Sequence, residues 1–149
     1  MSVALKAVKL SGPVFREVSH QQLMARFGEY SELIDLAMQE SHRQEDCLMS
    51  VMRALGSQQA RLVAIERDGT LLATVVLEYM RTKDGYYLNV WGVGGGCMDE
   101  WLHPLQEYLA QLAQQLGLDG IIMGGRPGWE RALRGLGWRK KAVIMEYRV

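Results

Sequence analysis

The sequence predicts a single α/β (α+β) domain, and three observations carry that prediction. Apolar residues recur at helical spacing between residues 19 and 55 and again after residue 98. Between them, the stretch from Arg61 to Val93 is rich in β-formers and is broken by two Asp-Gly dipeptides. The last thirty residues then run as a short apolar stretch, a two-turn amphipathic stretch and a stretch of strict alternation.

The chain has 149 residues, 48% of them hydrophobic and 23% charged, enough to bury one core and too apolar for a disordered chain. There is no internal repeat, low-complexity segment or Pro/Ser linker, so residues 1–149 are expected to form one domain. No stretch approaches the roughly 20 apolar residues that span a bilayer. The start MSVALKAVKL also lacks a signal-type apolar run and cleavage site, so a cytoplasmic protein without membrane contact is expected.

The elements follow in order. Val3 to Leu10 is strand-like and ends at a Gly12-Pro13 turn, and Ser19 with Gln22 makes a capping-box signal. Leu23, Phe27, Tyr30, Ile34 and Ala37 then fall at helical spacing, with Gly28 a point of division. A second helix is expected over Glu45 to Leu55, stopped by Gly56. Leu62 to Ile65, Leu71 to Tyr79 and Tyr86 to Val93 are three strands of an antiparallel meander, joined at Asp68-Gly69 and Asp84-Gly85. Gly94, Gly95 and Gly96 end the meander. A long helix follows, with Asp99 and Glu100 in its first turn, Leu105, Leu109, Leu112 and Leu116 as its stripe and Gly117 as its stop. Gly120 to Met123 is a strand, Trp129, Ala132, Leu133 and Leu136 form a short helix, and Val143, Met145, Tyr147 and Val149 alternate along a final strand.

The resulting order, β-α-α-β-β-β-α-β-α-β, resembles the GNAT (GCN5-related N-acetyltransferase) superfamily over nearly the whole chain. Residues 132–138, ALRGLGW, are similar to that family's A-x-x-L-x-x-x-G-[FWY] text. The stretch GRPGWERALRGLGWRKKAVIMEYRV also resembles the ends of small GNAT-like proteins of tailed bacteriophages. The resemblance implies a mixed, mainly antiparallel sheet with helices on both faces, and acetyl-CoA as acyl donor. Its pyrophosphate would rest on backbone amides of a Q/R-x-x-G-x-G/A loop before the long helix. The matching text here is VGGGCMDEW, so Val93, Gly94, Gly95 and Gly96 are the cofactor-binding candidates. The Gln/Arg is missing, the spacing differs, and Asp99 and Glu100 would repel a pyrophosphate; a plain strand-to-helix turn is the alternative.

The resemblance also implies a carboxylate base on the fourth strand and a tyrosine acid in the helix after the fifth. These positions fall on Asn89 and Leu133, neither of which can move a proton. Substitutes are Glu78 as a base and Tyr86 or Tyr87, for which strand packing is the alternative. His103 lies early in the long helix, where capping or solvent contact is the alternative to catalysis. His20 and His42 lack metal-ligand spacing, so no metal is expected. Cys97, after the glycines and near a helix start, is a thiol to test, whereas Cys47 is expected in the core. Of the four tryptophans, Trp101 is expected to be an exposed anchor for a partner and Trp129 to be buried.

Formal net charge is zero, but from residue 120 onward seven Arg or Lys (Arg126, Arg131, Arg134, Arg139, Lys140, Lys141, Arg148) face two Glu (Glu130, Glu146). Zero net charge argues against nucleic acid as a partner. The functional expectation is an acyltransferase that uses acetyl-CoA on an amine through an atypical cofactor loop. The alternative is a non-catalytic GNAT-fold protein that works through a protein partner or as a homo-oligomer, located in the virion if phage-encoded.

Overall fold

The computed structural model describes residues 12–39, 46–125 and 127–149. The expected strand Val3 to Leu10, and with it His42 and Arg126, lies outside the described residues. Within them, the first strand is β1 (Val14–Val18), just past the Gly12-Pro13 turn. Ser19 then caps α1 (His20–Ala25): its Oγ accepts from the Gln22 amide at 3.2 Å and Gln22 Oε1 accepts from the Ser19 amide at 3.0 Å. The helical stretch divides at Arg26 rather than Gly28, and α2 (Phe27–Gln39) follows. Helix α3 (Leu48–Gly56) contains Gly56 instead of ending before it; the left-handed backbone after it falls on Gln58, with φ of 63°.

The meander is β2 (Ala60–Arg67), β3 (Thr70–Thr82) and β4 (Gly85–Gly95). Asp68 and Gly69 both take positive φ (51° and 80°), as a type I′ turn requires, and this tight link holds β2 antiparallel to β3. Helix α4 (Met98–Gln115), β5 (Gly120–Met123) and α5 (Pro127–Ala132) complete the elements. The sheet order is β1-β2-β3-β4-β5, antiparallel except for β4–β5, which pair in parallel. That one parallel pair follows from α4, which carries the chain back to the end of the sheet at which β4 starts.

Strand alternation sends side chains to two cores. Ala73, Val75, Leu77, Leu88 and Val90 meet Trp101, Leu105, Leu109 and Ala113 of α4 on one face. The buried stripe of α4 thus runs 101-105-109-113, rotated from the all-leucine stripe: Leu112 lies at its margin and Leu116 is the C-cap. On the other face Leu62, Ala64 and Val76 meet Leu23, Tyr30, Ile34, Met38 and Val51 of α1–α3. The buried Tyr30 hydroxyl accepts from Arg16 at 3.2 Å, and Arg16 also reaches Glu66 at 2.7 Å, which raises the guanidinium pKa. A phenol oxygen inside this core would otherwise lack a partner.

One expected element does not form. Residues 138–149 contain no strand, and Val143, Ile144, Met145, Tyr147 and Val149 are exposed. Alternation in sequence supplies a face to bury but not a neighbour to bury it against.

Two glycines fix how closely α2 approaches the sheet. A Cβ on Gly92 would strike Met38 and Ala37, and one on Gly94 would strike the Leu33 carbonyl. A Cβ on Gly96 would point into open space. Gly94→Ala is therefore expected to cost about 1–3 kcal/mol through overpacking, whereas Gly96→Ala should be neutral or slightly stabilising. Urea titrations of the two variants test the contrast.

Candidate active site

Beyond Val90 and Met123 the β4–β5 ladder ends, while β4 continues to Gly95 along β3. The register with β3 shifts at this point: Val76 faces Gly92 and Leu77 faces Val90, which leaves Trp91 as an unpaired bulge residue. Bulges re-aim side chains and recur beside functional sites. Here the bulge falls at the point where the β4–β5 ladder ends.

On the α4 face lies a groove of about 340 Å³ lined by Met98, Gly128, Trp129, Arg131 and Ala132. It lies between the start of α4 and the short α5. Cys97 is the N-cap of α4, in left-handed conformation (φ 61°, ψ 36°) and without a side-chain cap bond. The first amides of α4, from Met98 and Asp99, have no intrahelical acceptor and point out of the helix end. Glu100 is neutralised by an ion pair with Arg67, so of the two carboxylates expected to repel an anion only Asp99 keeps its charge unpaired among the described residues. Arg131 is exposed and has no acidic partner among the described residues.

On the opposite face, Asn89 and Glu78 stand across from each other in the β3–β4 ladder. Asn89 is buried and donates from Nδ2 to Glu78 Oε1 at 2.8 Å. Trp91, on the same face, donates from Nε1 to Asp46 Oδ1 at 2.6 Å. The half-buried Glu78 carboxylate is thus held in one orientation by a neighbour that cannot itself take a proton.

Of the four residues expected to cradle the cofactor, three pack against protein and Gly96 is held by hydrogen bonds. Val93 leans on the α4 core, Gly94 admits the α2 backbone, and Gly95 (φ 142°) admits Leu72 and Ala73 of β3. The Gly96 amide donates to the Leu72 carbonyl at 3.1 Å and its carbonyl accepts from Trp101 Nε1 at 2.7 Å. Trp101, expected as an exposed anchor, is instead 1% exposed and ties the glycine turn to the core. Its indole fills the space beneath the turn, which a pattern of flanking polar residues does not reveal.

The remaining candidates do not gather at this site. Tyr86 is exposed under Arg81, and Tyr87 lies against Lys141 and Gly120. Leu133 is buried, His103 is exposed beside Glu107, and His20 is exposed at the start of α1. Trp129 is half-buried on the α4 core. Among the described residues no His, Cys, Asp and Glu cluster has metal-ligand geometry, and no helix is long and apolar enough to cross a membrane.

No family model matches the chain, and no curated protein matches it in sequence. Solved structures do match. A predicted acetyltransferase with acetyl-CoA from Clostridium acetobutylicum aligns with a TM-score of 0.62 and 11% identity, over 91% of this chain and 96% of that one. The aminoglycoside N-acetyltransferase AAC(6')-Iy, in complex with a CoA-containing bisubstrate analogue, aligns at 0.66 and 12%, over 93% and 99%. The fold is the GNAT fold. A ribosomal-protein-alanine N-acetyltransferase from Brucella melitensis biovar Abortus 2308 is similar to the same extent, at 0.63 and 15% over 93% and 99%. At these identities the likeness is one of architecture, shared by proteins with different acceptors.

Cys47 was expected in the core and is exposed at the N-cap of α3. A 3.4 Å contact with the Ser50 hydroxyl lowers the pKa of its thiol. The thiolate form is therefore reached at a lower pH than for an ordinary cysteine. In Ser50→Ala the pH midpoint of Cys47 alkylation should move upward, as measured by mass spectrometry after timed iodoacetamide pulses.

Proposed function

We propose that this chain is an acetyltransferase that moves an acetyl group from acetyl-CoA to an amine through the gap between β4 and β5. One observation carries the reading: the strands part at Val90 and Met123, with an anion-compatible groove on one face and an oriented carboxylate on the other. Acetyl-CoA supplies an activated thioester, whose carbonyl carbon an amine can attack.

The residues on the α4 face fit its phosphates. The turn from Gly96 to Asp99 offers the first amides of an uncapped helix, and Arg131 places a cation at the other side of the groove. This cradle begins where the glycine run ends, so Val93, Gly94 and Gly95 support it from behind. The outer edge of β4 from Trp91 to Gly95, unpaired by β5, offers backbone groups to an extended arm passing through the gap.

On the far face Glu78 is the general base. It takes the proton that the amine loses as the new C–N bond forms and the thiolate departs; that proton then returns to solvent or to the thiolate. Asn89 is the positioning residue, donating from Nδ2 to one carboxylate oxygen of Glu78. The position at which other members of this fold keep a carboxylate thus holds its orienting partner, displaced by one strand.

Calorimetric titration with acetyl-CoA should give saturable heat, and Arg131→Ala should weaken binding about tenfold through loss of one charge-assisted contact. Absence of heat at millimolar ligand would sink the proposal. Glu78→Gln should leave acetyl-CoA affinity unchanged and lower CoA release by about 10²–10⁴-fold across a panel of primary amines. Equal rates for the variant and the parent chain would remove Glu78 as the base. If acetyl-CoA does not bind, the packing roles of Gly94 and Gly95 favour the second reading, a GNAT-fold protein that acts through contacts alone.

A further inference from the structure

Beyond its buried core, the α4 face of the sheet ends in an exposed patch of tyrosines and cations. Leu77 and Leu88 are buried in the α4 core, and the next residues of the same alternation, Tyr79 on β3 and Tyr86 on β4, are 46% and 54% exposed. Each ring carries a guanidinium: that of Arg61 on β2 lies 5.9 Å from the centre of the Tyr79 ring, and that of Arg81 lies 5.5 Å from the centre of the Tyr86 ring. Arg61 also donates to the Tyr79 hydroxyl at 3.0 Å and to Glu17 Oε1 at 3.0 Å. Arg81 stands directly opposite Tyr86 in the β3–β4 ladder. Arg81 and Lys83 are both exposed and have no acidic partner among the described residues.

This arrangement suits planar, π-faced groups joined by phosphates. Tyr79 faces Leu88, two residues beyond Tyr86, so the tyrosines are diagonal neighbours about 7–8 Å apart, within reach of successive nucleotides of an unstacked strand. The guanidinium against each ring fixes its orientation, and about half of each residue stays open to a base. An aromatic ring accepts any base, because every base has a π-face. The Tyr79 hydroxyl accepts from Arg61 and keeps its own proton to donate, while the Glu17 carboxylate accepts. A ribose 2′-hydroxyl, both donor and acceptor, can answer either. Zero formal net charge argues against long-range attraction of a polyanion but leaves short-range stacking and local cations untouched.

We infer that this patch binds single-stranded RNA, with two neighbouring bases stacked on Tyr79 and Tyr86 and the adjoining phosphates on Arg81 and Lys83. Tyr86 lies at the opposite end of β4 from the start of α4, roughly 30 Å away at about 3.3 Å per residue. RNA on the patch and acetyl-CoA in the groove therefore do not compete. The inference stands whether or not the acetyltransferase reading holds.

The anisotropy of a fluorescently labelled, non-self-complementary RNA strand of about 12 nucleotides should rise to saturation with micromolar full-length chain at low salt. Tyr79→Ala and Tyr86→Ala should each weaken binding about tenfold, whereas Tyr86→Phe, which keeps the ring, should bind as the parent does. Arg81→Ala should reduce the slope of log affinity against log salt by about 0.7, the single-strand value for one phosphate. Urea midpoints equal to the parent's show that these losses come from the surface and not the fold. If an alanine variant does not fold, Tyr86→Phe and the salt slope still carry the test. A DNA strand of the same sequence should bind more weakly, and Tyr79→Phe should narrow that difference. No saturation at about 100 μM protein, folded tyrosine variants that bind as the parent does, or displacement by poly-glutamate as effective as by unlabelled RNA would each overturn the proposal. Equal affinity for the DNA strand would overturn RNA as the ligand. None of these measurements requires acetyl-CoA, so their outcome is separate from that of the calorimetric titration.

Discussion

Helix α2 rests with its backbone directly on β4, and this contact depends on the missing side chains at positions 92 and 94. The Gly94 position faces the Leu33 carbonyl, so no other residue leaves room for the helix at this distance. The approach has consequences on both faces of the sheet. It seats Tyr30, Ile34 and Met38 in the core of the α1–α3 face. It also coincides with the bulge at Trp91, since Gly92 faces the helix only because the register has slipped by one residue. Without that slip, Gly92 would face α4 and Val93 would be driven into α2.

The same slip shapes the candidate site. Up to Val90, β4 is an interior strand with neighbours on both sides; beyond it, β4 keeps only β3. The polar pair Asn89–Glu78 stands just before this change. A buried amide and a half-buried carboxylate are costly unless they satisfy one another, and here each is the other's partner. The glycine turn that follows is tied down by the Leu72 carbonyl and by the Trp101 indole. The start of α4 is therefore rigidly placed with its first amides facing outward, an arrangement that suits an anionic ligand better than a loose loop would.

Much of this fold is legible in the chain text. The Ser19–Gln22 capping box, the Asp68-Gly69 turn, the three meander strands and the Gly117 stop (φ 71°) are local signals, each satisfied within a few residues. The site is only partly legible. Glu78 and Asn89 are separable candidates in sequence, eleven residues apart; their hydrogen bond exists because the Asp84-Gly85 hairpin sets the register. The glycine run is visible, but its purpose is not. A glycine that admits a helix and one that admits a phosphate look alike until the opposing backbone is present. Trp101 shows the same limit, because the turn of the chain that covers it lies five residues upstream, against the helix it begins.

By itself, then, the sequence determined the mixed α/β class, the meander with its Asp-Gly turns and the approximate positions of the helices. Those properties arise from backbone conformation and periodicity over one to four residues. Only the tertiary structure decided where β4 parts from β5, which glycines touch protein, and that Glu78 meets Asn89 across the ladder. It also left the alternating tail without a strand partner among the described residues. A strand requires hydrogen bonds to a neighbour remote in sequence, and the pattern that prepares a chain for such a neighbour cannot provide one.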